Sequence, residues 1–221
     1  MGVEHLEAML QKARTAWKRL LHERAKEGRT WQLELHAASE AMLRAERELA
    51  AAKGESYAVP LDFPVVWDGG APMPHLFCND NRTFLVFYEQ VVDPNWDGSY
   101  VVMREARSPK PQALALVQFH ECRSARMGTP NDEVFHGHLL YGKGFEGHRA
   151  MEVIDSNWVK ELERINSVHS QYRPEPWKEL KHYILPFHDV TFECVAKRFS
   201  VEKRISSLRD LLAEVCDRLI Q

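Results

Sequence analysis

The segment HYILPFHDVTFECVA, residues 182–196, places ionisable side chains among residues that are typical of buried strands. Successive side chains of a strand point to opposite faces, so Glu193 and Cys194 are predicted to lie on opposite faces of TFECVA. Phe192 and Ala196 share the face of Cys194, so we expect this cysteine to be a small buried core residue rather than a nucleophile. The carboxylate of Glu193, on the other face, is suited to acid–base chemistry beside a histidine.

Glu193 gains such a neighbour if a helix predicted for residues 157–169 covers its face of the sheet. His169 ends that helix, and His188 lies at the predicted hairpin tip. Burial raises the pKa of a carboxyl group and a neighbouring histidine lowers it, and such a pair can transfer protons. His169, His188 and Glu193 are therefore the candidate catalytic residues. The alternative is a buried polar pair that only fixes the helix on the sheet.

Histidine is concentrated in the middle of the chain, where eight of the eleven lie between residues 75 and 188. Zinc needs three or four neutral imidazoles, thiolates or carboxylates that converge on one point. The candidate ligands for a divalent metal are His138, His169 and His188, and Asp189 or Glu193 would complete the set. HExxH is absent and no cluster has a diagnostic spacing, so hydrogen-bonded structural histidines are the alternative.

The stretch GHLLYGKG, residues 137–144, contains the G-x-x-x-x-G-K part of a phosphate-binding loop. Gly144 follows, at the position where a serine or threonine would bind magnesium. No strand is predicted before this stretch and no helix after it. The stretch therefore lacks the helix N-terminus that directs backbone N–H groups at a phosphate in such loops. We therefore expect a flexible glycine-rich loop.

The elements that must position these residues predict an α+β fold, an antiparallel sheet with helices on one face. Four strand-length segments between residues 57 and 120 are rich in β-branched and aromatic residues: FPVVW, TFLVFYEQVV, YVVMREA and ALALVQFHE. The turn DPNWDGS predicts that residues 83–92 pair with residues 99–106. Residues 121–148 contain many glycines and are expected to be irregular, apart from a short helix with Thr129 as N-cap and Pro130 at its first position. AMEVI is a predicted strand that precedes helix 157–169 and the hairpin.

Residues 1–53 are predicted to form a helical arm. Two sets of apolar residues keep a heptad rhythm, but their phase changes at KEGRT, which indicates a helical hairpin. Gly28 is the expected C′ residue of the first helix and Thr30 the expected N-cap of the second, with one long helix as the alternative. Residues 201–221 predict a C-terminal amphipathic helix with Ser200 as its N-cap.

The apolar stripes of the arm and of the C-terminal helix predict a helical bundle, either within one chain or across a homodimer. The predicted domains are the arm at 1–53, an α+β core at 57–200 and the C-terminal helix at 201–221, which packs on the arm or on the core. The arm is also the predicted contact for a protein partner.

The composition limits the class of protein. The chain has 221 residues, of which 44% are hydrophobic and 28% charged, as expected for a globular core. The formal net charge of -3 argues against a large nucleic-acid surface. No run of about 18 apolar residues occurs, so no membrane span is predicted. The four cysteines form no CxxC pair, and we expect reduced thiols in a cytoplasmic protein.

Three blocks, GTPNDEVFHGH, EVIDSNWVKELERINSVH and KHYILPFHDVTFECVA, resemble a family of uncharacterised bacterial proteins. Proteins of that family carry PNDE…GHPL, NSSWI..LE..NSVHP and RHYIFTFHDSTFECVA blocks. The resemblance covers residues 60–200 and excludes the arm. Leu139 replaces the proline of the family, and the other departures are Asp155 and Asn157 in the NSSW block, Ser170 after His169, and Pro186 and Val190 around His188. The resemblance implies no activity, but it groups nine polar residues: Asn131, Asp132, Glu133, His138, Asn166, His169, His188, Asp189 and Glu193.

These observations favour a binding or interaction module with a polar pocket. The pocket is predicted to be lined by histidines and Glu193, and the candidate ligand-binding residues are His138, Asn166, Asp189 and Asn131. The alternative is a metal-assisted or acid–base enzyme that acts on a small polar substrate.

Overall fold

The computed structural model describes residues 2–23, 29–91 and 108–221. Its helices are α1 (Val3–His22), α2 (Arg29–Ala52), α3 (Asn157–Asn166) and α4 (Leu208–Ile220). Its strands are β1 (Tyr57–Pro60), β2 (His75–Cys78), β3 (Thr83–Tyr88), β4 (Gln112–His120), β5 (Ser124–Gly128), β6 (Met151–Ile154), β7 (Lys181–Pro186), β8 (Thr191–Ala196) and β9 (Arg198–Ser206). The predicted α+β class, with a helical pair at the N-terminus and a helix at the C-terminus, is confirmed.

The strands form two antiparallel sheets. The first sheet has the order β1-β6-β7-β8-β5, and the second has the order β2-β3-β4-β9. The two sheets pack against each other through an aromatic core, in which Phe119 lies 5.1 Å from Phe192 and Phe87 lies 5.3 Å from Phe187, measured between ring centroids. Cys194 is fully buried in this core, as its strand position predicted, and burial raises the pKa of its thiol.

The C-terminal helix is shorter than predicted. Residues 198–206 form β9, which pairs along the whole of β4, so Ser200 is not an N-cap. Pairing with β4 satisfies the backbone groups of this segment, and the apolar spacing from Val201 onwards also fits the alternation of a strand. The helix begins after Ser207, whose hydroxyl accepts the N–H of Asp210.

Helix α4 packs on the outer face of the second sheet and not on the arm. Its residues Leu208, Leu211 and Val215 are buried against Phe84 and Leu116. The predicted three-helix bundle is therefore wrong, because the apolar face of α4 is used by the sheet. No helix in the described segments has the length and hydropathy that a membrane span requires.

The arm is held to the first sheet through α2. Glu46 is buried and accepts hydrogen bonds from Arg14 at 3.0 Å and from the N–H of Gly144 at 3.2 Å. Arg47 donates to the Ala58 carbonyl at 2.9 Å and pairs with Glu146 at 2.6 Å. Gly144 has a φ of +82°, and a Cβ there would lie 2.5 Å from the Ala58 oxygen. Only glycine allows this close approach.

Residues 129–150 lie over the outer face of the first sheet. Leu140 and Phe145 pack against Met151 and Ile184 there. A 3-10 helix at Asp132–Gly137 begins after Asn131, so the predicted capping roles of Thr129 and Pro130 are wrong. Residues 129–150, called the covering loop below, are therefore packed against the sheet, whereas their glycine content had predicted a flexible loop.

Other sequence predictions differ in detail. Residues 63–67 are not a strand and contribute only an isolated bridge between Trp67 and Glu89, whereas β1, β2 and β5 were not predicted. The second helix of the arm includes Thr30, which is therefore not its N-cap. Helix α3 ends at Asn166, short of His169. The predicted strand 99–106, its turn DPNWDGS and Gly28 lie outside the described residues.

Candidate functional site

A cavity of about 300 Å³ lies on the outer face of the first sheet. Its polar lining comes from the strands of that sheet, from the segment before β1, from the start of α3 and from the covering loop, and it includes Arg126, His138, Ser156, Trp158, His182 and Glu193. In the sheet register Glu193 lies between Arg126 of β5 and Ile184 of β7. Antiparallel pairing therefore brings side chains from distant parts of the sequence to one surface.

Arg126 holds one oxygen of the Glu193 carboxylate. Its Nε and Nη2 atoms lie 3.0 and 2.8 Å from Oε1. The guanidinium also lies over the ring of Trp158, 4.4 Å from the ring centroid, where the face of the indole attracts a cation. Trp158 thus links the first turn of α3 to the charged end of Arg126.

His182 holds the other oxygen of the same carboxylate. Its Nε2 lies 2.9 Å from Oε2, and both side chains are buried. Burial acts to raise the pKa of Glu193, but His138, His182 and the Arg126 guanidinium outweigh burial and hold this pKa well below its ordinary value. Glu193 is therefore an ionised carboxylate in the wall of the cavity.

The second nitrogen of His182 meets a serine. Nδ1 lies 2.9 Å from the Ser156 Oγ, which also caps α3 by accepting the N–H of Val159 at 3.2 Å. Because Glu193 is ionised, we assign the imidazole proton to Nε2, so that Nδ1 accepts the hydrogen bond from the Ser156 hydroxyl. A continuous chain of hydrogen bonds then runs from the Val159 N–H to the Glu193 carboxylate.

His138 faces this chain from the covering loop. Its Nδ1 accepts the N–H of Leu140 at 3.2 Å, and its ring stacks on Phe145 with a centroid distance of 4.7 Å. We therefore place the proton of the neutral ring on Nε2, which faces Glu193 Oε1 across 4.0 Å, farther than a hydrogen bond. Elsewhere in the lining Lys143 pairs with Glu55 at 2.7 Å and lowers the pKa of that carboxyl group.

A second histidine–carboxylate pair lies at the hairpin tip. His188 Nδ1 and Asp132 Oδ2 are 2.6 Å apart, and His148 Nε2 lies 3.7 Å from the same oxygen. The hydrogen bond lowers the pKa of Asp132 and raises the pKa of His188. Asp189 is exposed beside this pair and adds its charge to the effect on His188.

The structure brings together some of the predicted site residues. His138 and Glu193 share the cavity, whereas His188 contacts Asp132, which follows Asn131 at the start of the 3-10 helix. The predicted approach of His169 to Glu193 is wrong. His169 is exposed beyond the end of α3, where its Nδ1 accepts the N–H of Gln171.

Asn166 is exposed as well, and its side-chain amide donates to the Leu162 carbonyl. His138, His169 and His188 therefore do not form one ligand set. Among residues 2–23, 29–91 and 108–221, no group of three or more histidine, cysteine or acidic side chains is arranged to hold a metal ion.

Arg126, Ser156, Trp158 and His182 are cavity residues that were not predicted as site residues from the sequence. The hairpin itself contained a signal for one of them. With a tip at residues 187–190, Ile184 pairs with Glu193 and His182 with Val195, which places His182 and Glu193 on one face. Ser156 immediately precedes the predicted helix and is a typical N-cap residue, but its contact with His182 depends on the tertiary fold.

Comparisons with known proteins do not extend this picture. No family model matches the chain, and no curated protein or solved structure matches it either. The resemblance of the three sequence blocks therefore stays an expectation, and the interpretation of the cavity depends on its own atoms.

Proposed function

We propose that the protein binds a small polar ligand in the cavity above the first sheet. The observation that carries the proposal is the convergence of Arg126, His138, Ser156 and Glu193 on one cavity from four separate elements. Concave sites with apolar walls and a few convergent polar groups are typical of ligand-binding sites. The volume of about 300 Å³ suits a ligand of metabolite size.

The walls define what such a ligand would carry. Leu140, Val153 and Trp158 supply apolar surface, while His138 and Arg126 supply hydrogen-bond donors. The two nearby carboxylates, Glu55 and Glu193, are already paired with cations. We therefore infer a ligand with an apolar part and a polar head that accepts hydrogen bonds, such as a carbonyl or carboxylate group.

Ligand-observed NMR with a panel of small carboxylic acids, amides and esters tests this proposal. Binding should weaken at least about tenfold in His138→Ala, because a hydrogen bond to a ligand contributes about 1.4 kcal/mol or more when its partner would otherwise stay buried. His169→Ala is the matched control, because His169 is exposed outside the cavity. Binding that is absent, or equal in both variants, would contradict the proposal.

A second candidate function is acid–base catalysis on a small polar substrate in the same cavity. The specific observation in its favour is the Ser156–His182–Glu193 chain, in which a hydroxyl, an imidazole and an ionised carboxylate are joined by two hydrogen bonds of 2.9 Å. The same experiment extended to substrate turnover distinguishes the two functions, because a binding protein returns the esters and amides unchanged.

The arm is expected to support this cavity. Helix α2 holds the covering loop through Glu46 and Gly144, and the loop carries His138. The apolar residues of the arm had suggested a homodimer or partner contact. In α1, Leu6, Leu10 and Leu20 are buried by contacts within the single chain. We therefore propose a positioning role for the arm. Light scattering during size-exclusion chromatography tests it, and a dimer that forms through α1 would contradict it.

A further inference from the structure

We propose that Ser156 is a nucleophile for acyl transfer, with His182 as its general base and Glu193 as the residue that orients His182. This inference rests on the proposed ligand cavity and names the chemistry done there. A serine hydroxyl becomes a nucleophile when a base lies within about 2.6–3.2 Å and a third group orients that base. Both distances in the chain are 2.9 Å.

Capping alone does not account for the position of Ser156. A second buried serine, Ser207, caps α4 with the same type of hydrogen bond, from the N–H three residues later, but its hydroxyl donates to Asp210 Oδ2 at 2.6 Å in its own first turn. Ser156 caps α3 equally well, but its hydroxyl donates instead to His182, which lies 26 residues away on β7. Capping of α3 uses only the oxygen of Ser156 as an acceptor, so capping does not require the hydrogen bond between its hydroxyl and His182.

The protonation pattern prepares His182 to act as a base. Glu193 is ionised and accepts the Nε2 proton, while Arg126 neutralises its charge at the other oxygen. Nδ1 is thereby left as the acceptor that faces the serine hydroxyl. The two ring nitrogens exchange the roles they have in many serine hydrolases, but the roles follow from geometry and not from the atom name.

The position of Ser156 at the start of α3 suits the charge that develops during attack. The N-terminal end of a helix carries a partial positive charge that favours an anion, and in α3 the Asn157 N–H donates to Ser56 Oγ while the Val159 N–H donates to Ser156 Oγ. A tetrahedral intermediate on Ser156 Oγ forms next to this end of α3. The Nε2–H of His138 is a second donor in the same cavity.

The reaction assigned to this site is hydrolysis of a small carboxylic ester by water. Ser156 Oγ forms a bond to the acyl carbon and its proton passes to His182 Nδ1. The bond from the acyl carbon to the alcohol oxygen then breaks, and this oxygen takes the proton from Nδ1 as the alcohol leaves. Water next attacks the acyl-serine and gives its proton to Nδ1. The carboxylic acid leaves as Ser156 Oγ recovers that proton.

The apolar walls limit the acyl group to a small one. Leu140, Val153 and Trp158 bound the cavity, whose volume is about 300 Å³. Short aliphatic or aromatic acyl groups fit such a space, whereas a long acyl chain does not. Para-nitrophenyl acetate and a small fluorophosphonate are therefore suitable probes.

The test uses the full-length protein with both probes. Mass spectrometry of the fluorophosphonate-treated protein should find the label on Ser156. Ser156→Asn keeps a capping oxygen but has no hydroxyl, and hydrolysis of para-nitrophenyl acetate should fall at least about a hundredfold. Ser207→Asn is the matched control, because it changes the other capping serine outside the cavity and should leave hydrolysis unchanged.

The outcomes separate this inference from the proposed binding function. If the small acids and amides still bind the wild-type cavity but Ser156 is not labelled, Ser156 is a cap only and the nucleophile is overturned. If Ser156→Asn binds these compounds and hydrolyses the ester as fast as the wild type, the nucleophile is overturned as well. If no compound binds and no label forms, both the proposed function and this inference fail.

Discussion

Two histidine–carboxylate pairs, each with its histidine on the β7–β8 hairpin, differ mainly in their access to water. In His182–Glu193 the side chains are 5% and 8% exposed, whereas in His188–Asp132 they are 41% and 26% exposed. The hydrogen bonds are similar, at 2.9 and 2.6 Å. A short distance alone therefore does not distinguish a functional site from a surface ion pair.

Burial changes what each pair requires of its surroundings. A buried carboxylate is stabilised by hydrogen-bond donors at its oxygens, and Glu193 has Arg126 on one oxygen and His182 on the other. Asp132 is half-buried beside the partly exposed His188 and the exposed His148, and water screens the interaction. The buried pair should therefore dominate both stability and chemistry, and the following substitutions test that contrast.

Loss of the imidazole of His182 should have the largest effect. His182→Ala leaves Glu193 buried with only one partner, which should lower the free energy of unfolding by about 3–5 kcal/mol. His188→Ala should cost much less, because exposed pairs contribute little. Urea denaturation at neutral pH measures both variants, and equal losses would show that burial does not separate the pairs.

The response to acid should identify Glu193 as the more important carboxylate. Its pKa is lowered in the folded protein, so its stabilisation is present above the ordinary value of 4.5 and is lost as the pH falls towards the folded pKa. Between about pH 5 and 3, the free energy of unfolding should therefore fall more steeply in wild type than in Glu193→Gln. The difference should exceed about 1.4 kcal/mol, the equivalent of one pKa unit. Parallel curves would contradict the assignment.

Removal of the guanidinium that pairs with Glu193 should have an intermediate effect. Arg126→Met keeps an apolar chain beside Trp158 but leaves Oε1 of Glu193 without its donor, at an expected cost of about 1–3 kcal/mol in the free energy of unfolding. The matched control is Arg149→Met, which removes ion pairs at the surface. Thermal or urea unfolding that ranks the control as the more damaging variant would refute this reasoning.

The more exposed pair, His188–Asp132, should show the smallest effect on stability, and this effect should be visible mainly by titration. The hydrogen bond to Asp132 raises the pKa of His188 above 6.5, so the stabilisation by this pair is complete below that value and is lost as the pH rises through the folded pKa. In Asp132→Asn the pKa measured by NMR should return towards 6.5. Asp189→Asn should lower it less, because Asp189 acts through its charge alone. A larger fall in the pKa of His188 in Asp189→Asn than in Asp132→Asn would show that Asp132 is not the main cause of the shift.

The sequence supported predictions about local geometry better than predictions about contacts. The alternation in TFECVA correctly placed Cys194 in the core and Glu193 on the other face, because side-chain direction in a strand depends only on parity. The partners of Glu193 depend on which strands become neighbours. Arg126 comes from SARMG, a short edge strand without β-branched residues, so nothing in its composition indicated a strand.

The incorrect predictions have a similar origin. Val201, Ile205 and Leu208 fit a helical face, but pairing with β4 overrides that pattern up to Ser206. His169 was placed near Glu193 by a helix predicted to reach residue 169, and Asn166 was selected from the sequence blocks. The fold leaves both side chains exposed at or beyond the end of α3. Ser156 and His182 meet only after α3 docks beside β7, a contact that periodicity does not encode.

The attachment of α2 to Gly144 should also delay the stabilisation of the amino-terminal helices until much of the chain has left the ribosome. Glu46 and Arg47 are synthesised early, but their partners Gly144 and Glu146 follow 98 and 99 residues later. Contacts of such long range form late, since a large loop must close first. Nascent chains halted before residue 144 should therefore be cleaved rapidly by protease in α2, and longer chains should resist. Equal protection of both would show that the amino-terminal hairpin matures without the rest of the molecule.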